Sequence, residues 1–160
     1  MTFRDNEQQF QLEHVKSLDH LIQVWPFFLS GLEELNKTLK RGAVPSDEFF
    51  LNHVDVVTGN RDGVVLKVNS VNGKPLAYVS GFENTGKHKK ERSLLAYAIY
   101  SNRKNAFASR FAAYHLEKWA KENGFKWLHA YTGRTSGSAI QWVKRFHGFE
   151  LDKYFFVKEL

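Results

Sequence analysis

SNRKNAFASRFAAYHLEKWAKENGFKW, residues 101–127, decides how this chain is read. It contains a strand end, a short polar and basic loop, a long amphipathic helix and the start of a new strand. At 100° per residue Ala108, Phe111, Ala112, His115, Leu116 and Trp119 gather on one side of a helix over 104–123. Arg110, Glu117 and Lys121 fall on the other. Asn123-Gly124 supplies the left-handed residue that commonly ends a helix. A strand that runs into a helix in this way offers the helix N-terminus to an anion, a common cradle for phosphate. The loop differs from such cradles in carrying Phe107 where a glycine would let the backbone approach a ligand closely.

Working outward, LLAYAIY (94–100) is a nearly continuous apolar run and predicts a central strand covered on both faces. Before it, VVLKVNSVNGKPLAYVSGF predicts a hairpin, with strands over 64–70 and 75–82. Asn72-Gly73 would supply the positive φ angles of a tight turn. Further back, FQLEHV (10–15) alternates as a first strand. Ser17 caps a helix over 18–25 with Leu21, Ile22 and Trp25 as its buried stripe, and Pro26 should break or kink it. A second helix follows over about 27–39. A third begins after Pro45-Ser46, with Asp47 and Glu48 suited to its first turn. After the long helix, WLHAYT (127–132) predicts a strand, 138–146 a last helix and 154–157 a final strand. Alternating units after the hairpin favour parallel pairing, so the fold class is α/β with a mixed sheet and helices on both faces, in one domain over 1–160.

Composition excludes several function classes. The chain has 160 residues, 42% of them apolar, with 14 Phe and 4 Trp, enough for a thick core. No cysteine is present, so disulfides, thiolate metal sites and a cysteine nucleophile are all excluded. The N-terminus MTFRDNEQQF is polar and lacks a signal-peptide apolar region, and no run is long enough to span a bilayer, so a cytoplasmic protein is expected. No HxxxH spacing and no GxSxG elbow is found, and no metal is expected. His53 and His147 read as surface residues and His115 as a core-side one. The net charge of +6 favours polyanions: a phosphate-bearing cofactor or, less directly, nucleic acid. No ribonucleoprotein motif or recognition-helix pattern accompanies that charge.

Three stretches carry a family resemblance. VNGKPLAYVSGF resembles the second and third strands of the GNAT superfamily of N-acetyltransferases. EKWAKENGFKWLHAYT resembles the end of its cofactor-side helix and the next strand, and SAIQWVKRFHGFE its last helix. The resemblance covers roughly residues 62 to 160. It implies acetyl-CoA as co-substrate and an amine acceptor, either a small molecule or a protein or peptide. It also implies cofactor contacts from Ile99, Ser101, Arg103, Lys104, Asn105, Ala106, Phe107, Ala108, Ser109, Arg110 and Ser136. The family's loop motif falls on KNAFAS (104–109), with Phe107 at its first glycine. A ring buried between helix and sheet would leave the amides free and make Phe107→Gly costly; a ring turned to the cofactor would block it. Ser136 stands where the family often has asparagine, and Val143 where it has a tyrosine acid, so the proton donor must come from elsewhere or be water. Glu83, Tyr97 and Tyr131 are the catalytic candidates, and Tyr97, Tyr100, His129 and Tyr131 lie on the two strands that would flank an acetyl group. The same departures fit a second reading, a catalytically degenerate protein of this fold kept for binding or structure, such as a phage accessory protein.

Overall fold

A computed structural model describes residues 9–38, 43–84, 91–102 and 106–130. The elements in chain order are β1 (Phe10–His14), α1 (Leu18–Thr38), α2 (Ser46–Val57), β2 (Gly63–Ser70), β3 (Pro75–Glu83), β4 (Ser93–Ser101), α3 (Ala106–Glu122) and β5 (Trp127–Ala130). The helix and strand expected over 138–146 and 154–157 lie outside the described residues.

The five strands form one sheet in the order β1-β2-β3-β4-β5. The first three pairings are antiparallel and β4–β5 is parallel, so the sheet is mixed, as expected. Strand alternation sends Val64, Leu66, Val68, Ala77 and Val79 to one face, where they meet Ala108, Phe111, Ala112 and Leu116 of α3. Val65, Tyr78, Phe82 and Ala98 point to the other face, against Leu21, Val24, Phe28 and Leu32 of α1 and Phe49 and Val56 of α2. Helices therefore cover both faces, and the two apolar layers share the sheet as their common wall.

The local signals show where sequence and fold agree. Ser17 Oγ accepts from the His20 N–H at 3.1 Å, capping α1. Gly124, at φ 80°, ends α3. There the Phe125 N–H reaches the Ala120 carbonyl at 3.0 Å and the Gly124 N–H reaches Lys121 at 3.3 Å, the Schellman pattern.

Three expectations are corrected. α1 does not break at Pro26 but runs through it as one helix of 21 residues. Proline removes one ladder hydrogen bond, yet the neighbouring Trp25, Phe27 and Phe28 all pack in the α1 layer, and that packing holds the helix together. The buried stripe runs along Leu21, Val24, Phe28 and Leu32, which leaves Ile22 exposed on the opposite side. In the hairpin only Gly73 has a positive φ, 81°; Asn72 does not. The Gly73 N–H donates to the Ser70 carbonyl at 2.9 Å and the Ser70 N–H to the Lys74 carbonyl at 2.8 Å. This is a right-handed turn closed by a glycine bulge, which needs one left-handed residue rather than two.

Candidate active site

The sheet's irregularity lies in β4. Opposite β3, Ser80 faces Ala98 and Gly81 faces Ala96, so Tyr97 is an extra residue, a β-bulge. Leu95, Tyr97, Ala98 and Tyr100 consequently all pack on the α1/α2 face, while Ile99 stays with the α3 layer. The described part of β5 pairs with β4 from Ser93 to Ala96, and the bulge follows at Tyr97. β4 then ends at Ser101, and the Asn102 N–H is tied to the Leu76 carbonyl at 2.9 Å. A bulge re-aims side chains, and here it turns two tyrosines toward one helix pair.

From that end the chain enters α3. Its N-terminus carries the positive end of the helix dipole. No acidic residue sits in the first turn to oppose an anion there. Ala108 and Ser109 are buried against the sheet, so the small residues bring helix and sheet close together. Phe107 is not buried between them: its ring is 44% exposed. The large loss foreseen for Phe107→Gly with a buried ring therefore does not apply. Phe107→Ala is expected to change the unfolding free energy by less than about 1 kcal/mol, against roughly 3–5 kcal/mol for a core phenylalanine. Urea unfolding of the two proteins checks this, and a loss above 2 kcal/mol would place the ring in the core instead.

The other site candidates fall in three groups. Arg103, Lys104, Asn105, Tyr131 and Ser136 lie outside the described residues, as do Val143 and His147, and nothing is described of the Ala106 side chain. Ile99, Ser101, Ala108, Ser109 and the half-buried Arg110 cluster around the β4–α3 junction. Glu83 is not brought there. It pairs with Leu94 at the opposite end of β4, on the order of 20 Å from Ser101 at about 3.3 Å per residue. Its carboxylate accepts from Arg92 Nε at 3.1 Å. Arg92 also bonds Asp62 and the Asn123 carbonyl and lies over the Phe125 ring, clasping β3 to the end of α3.

Facing the bulge are groups that sequence reasoning missed. Asn52 Nδ2 of α2 donates to Tyr97 Oη at 2.9 Å. Burial raises the pKa of the Tyr97 hydroxyl, which stays protonated at neutral pH. Tyr100 Oη donates to Glu34 Oε2 of α1 at 2.6 Å. His53 is a correction: at 1% exposure it is buried, not on the surface. Its ring spans from the Phe49 carbonyl at Nδ1, 2.7 Å, to Ser80 Oγ at Nε2, 2.9 Å. Burial pushes its pKa down to about 4. The spacing Phe49, His53, Val56 was the available signal, since those positions share one helical stripe. His115 packs beside Phe111 at the margin of the α3 layer, near the expected place. No group of three or more metal-ligating side chains occurs among the described residues.

Neither a protein-family model nor a curated protein sequence matches the chain. Solved structures do match. An aminoglycoside acetyltransferase from an uncultured soil metagenomic sample, in complex with sisomicin, superposes with a TM-score of 0.69 at 10% identity, covering 97% of this chain and 99% of the other. Glucosamine-6-phosphate N-acetyltransferase from Arabidopsis thaliana gives 0.66 at 13% identity, with 94% and 97% covered. AAC(6')-Iy, in complex with the bisubstrate analog CoA-S-monomethyl-acetylneamine, gives 0.63 at 13% identity, with 94% and 98% covered. The chain has the GNAT acetyltransferase fold. At such identities the likeness concerns the fold, and the chemistry has to be argued from the residues. No helix among the described residues is long and apolar enough to cross a membrane.

Proposed function

We propose that this protein is an acyl-CoA-dependent N-acetyltransferase that acts in the cytoplasm on an amine acceptor. One observation carries the reading: β4 bulges at Tyr97 and leads straight to the acid-free N-terminus of α3. The described residues suit acetyl-CoA there. The first-turn amides of α3 would take its diphosphate, with Arg103, Lys104 and Arg110 as charge partners. Bound acetyl-CoA supplies an activated acetyl thioester. The solved structures named for glucosamine-6-phosphate and aminoglycosides support an amine as the acceptor.

The chain's own contribution is proton handling on the α1/α2 side of β4. Tyr97 keeps its proton at neutral pH because burial disfavours the phenolate. The Asn52 amide fixes the direction of Tyr97 Oη. A held proton and a fixed oxygen are what a general acid needs, and Tyr97 thereby fills the role that Val143 cannot. Tyr131, which follows β5 in the sequence, is the other candidate.

The test is binding. Acetyl-CoA at 100 times its dissociation constant should add about 2.7 kcal/mol of stability by mass action, seen as a rise in melting temperature. No rise at millimolar acetyl-CoA would overturn the transferase reading. It would favour instead a binding or structural protein of this fold, a reading motivated by Phe107 at the loop's first glycine position. A rise with short DNA or RNA that salt abolishes would point to nucleic acid.

A further inference from the structure

Between α2 and β2 the chain holds a cation that the proton-donor role of Tyr97 does not use. Gly59, at φ 81°, turns the chain, and the Arg61 N–H donates to the Asp55 carbonyl at 3.0 Å, which ties the loop back to α2. The Arg61 guanidinium lies over the Phe82 ring, 3.8 Å from its centroid. A carboxylate is the usual partner of a half-buried arginine. Asp62 follows Arg61 in the chain and Glu83 follows Phe82, but Arg92 takes both of these carboxylates. Among the described residues no hydrogen bond or ion pair engages the Arg61 guanidinium, whose planar fork carries five N–H donors. Stacking on a buried ring restrains that fork without using any of them.

Phe82 joins this cation to the proposed proton donor. Its ring also meets Tyr97, with centroids 4.8 Å apart and planes tilted by 39°. Phe82 itself is buried, while Arg61 and Tyr97 above it are both partly open, so a molecule that reaches Tyr97 also meets the arginine. Burial is the largest influence on the Tyr97 hydroxyl, but the charges of Glu48 and Arg61 act on it too, in opposite senses. Glu48 stands one turn before Asn52 on α2, and its carboxylate is exposed. A carboxylate and a guanidinium beside one proton donor match a molecule that carries both an amine and an anion.

We propose that Arg61 is a specificity determinant for the acceptor, binding an oxyanion on the same molecule whose amine is acetylated beside Tyr97. The acceptor class is then an amine with an anionic end, a carboxylate or a phosphate, which the arginine fork can grip at two oxygens. This rests on the transferase reading for its biological meaning, but the site is testable without turnover. The probes are ω-amino acids from glycine to aminocaproate and the matching aminoalkyl phosphates, each titrated by calorimetry against the alkylamine of equal chain length. Wild-type protein should bind at least one anionic amine about tenfold or more tighter than its alkylamine. Whether the carboxylate or the phosphate series wins names the oxyanion. Arg61→Gln should cancel that advantage, and so should Arg61→Met, which keeps a cover over Phe82 and separates a lost ligand from a disturbed ring. Lys74→Gln removes the same charge from the exposed hairpin turn and should leave the advantage intact. No advantage in the wild type, one that survives both Arg61 substitutions, or one that Lys74→Gln also cancels overturns the inference. An Arg61-dependent advantage in a protein that ignores acetyl-CoA would support the oxyanion site while removing the transferase reading.

Discussion

Replacing Phe28 by alanine is expected to lower the unfolding free energy by about 3–5 kcal/mol. The ring is fully buried and stacks on Tyr78 with centroids 4.1 Å apart and planes 12° from parallel. It also meets His53 edge-on at 5.7 Å, and the Phe28 carbonyl accepts the Tyr78 hydroxyl at 3.2 Å. Removing the ring would strip contacts from both sheet and helices at once and leave a cavity that a helix anchored by Trp25 and Leu32 cannot close. Such a loss is a large share of the roughly 5–15 kcal/mol by which domains of this kind are stable. Chemical denaturation of the variant checks it, with Phe28→Leu as a milder control. A loss under about 1.5 kcal/mol for the alanine variant would show that α1 does not pack as described.

Stability should also fall steeply as the solution is acidified below pH 6.5, with His53 as a principal cause. Its ordinary pKa of 6.5 is pushed to about 4 by burial. Between those two values the unfolded chain binds a proton that the folded chain refuses, so stability rises with pH across that window. It is fully present above pH 6.5, shrinks as pH falls toward 4, and loses nothing further to this group below 4. The difference corresponds to about 3 kcal/mol at 1.36 kcal/mol per pH unit. Unfolding curves from pH 7.5 to 4 should therefore be flatter for His53→Gln than for the wild type. Parallel curves would assign the acid sensitivity elsewhere. A second loss should appear lower, because Glu13 is held down to about 2: burial alone would raise it, but hydrogen bonds from His20 and Asn69 and the charge of Lys67 outweigh that.

How much of this was legible in the sequence follows the range of each interaction. Ser17, Gly73 and Gly124 act over three or four residues, and their effect could be read locally, down to the end of α3. The two-faced sheet followed from strand alternation. Pro26 misled because its local rule was overridden by aromatic packing that comes only with the third dimension. The bulge at Tyr97 was invisible, since an extra residue exists only relative to a partner strand. Likewise Asn52 meets Tyr97 across 45 residues and Glu34 meets Tyr100 across 66, pairs that no periodicity in one chain announces. His53 was different: its stripe was there to be seen, and treating a histidine as polar obscured it.

The miscounted ladder in β4 decides which way the rest of that strand looks. Up to Ala96 the even-numbered residues belong to the aliphatic layer under α3; past Tyr97 that layer takes the odd-numbered Ile99 instead. Were β4 to run through these same residues without the bulge, Ile99 would turn to the α1 face and the Tyr100 phenol would be driven into the aliphatic layer under α3. A single inserted position thus acts as a phase shifter, and the two tyrosine rings of β4 owe their common outlook to it.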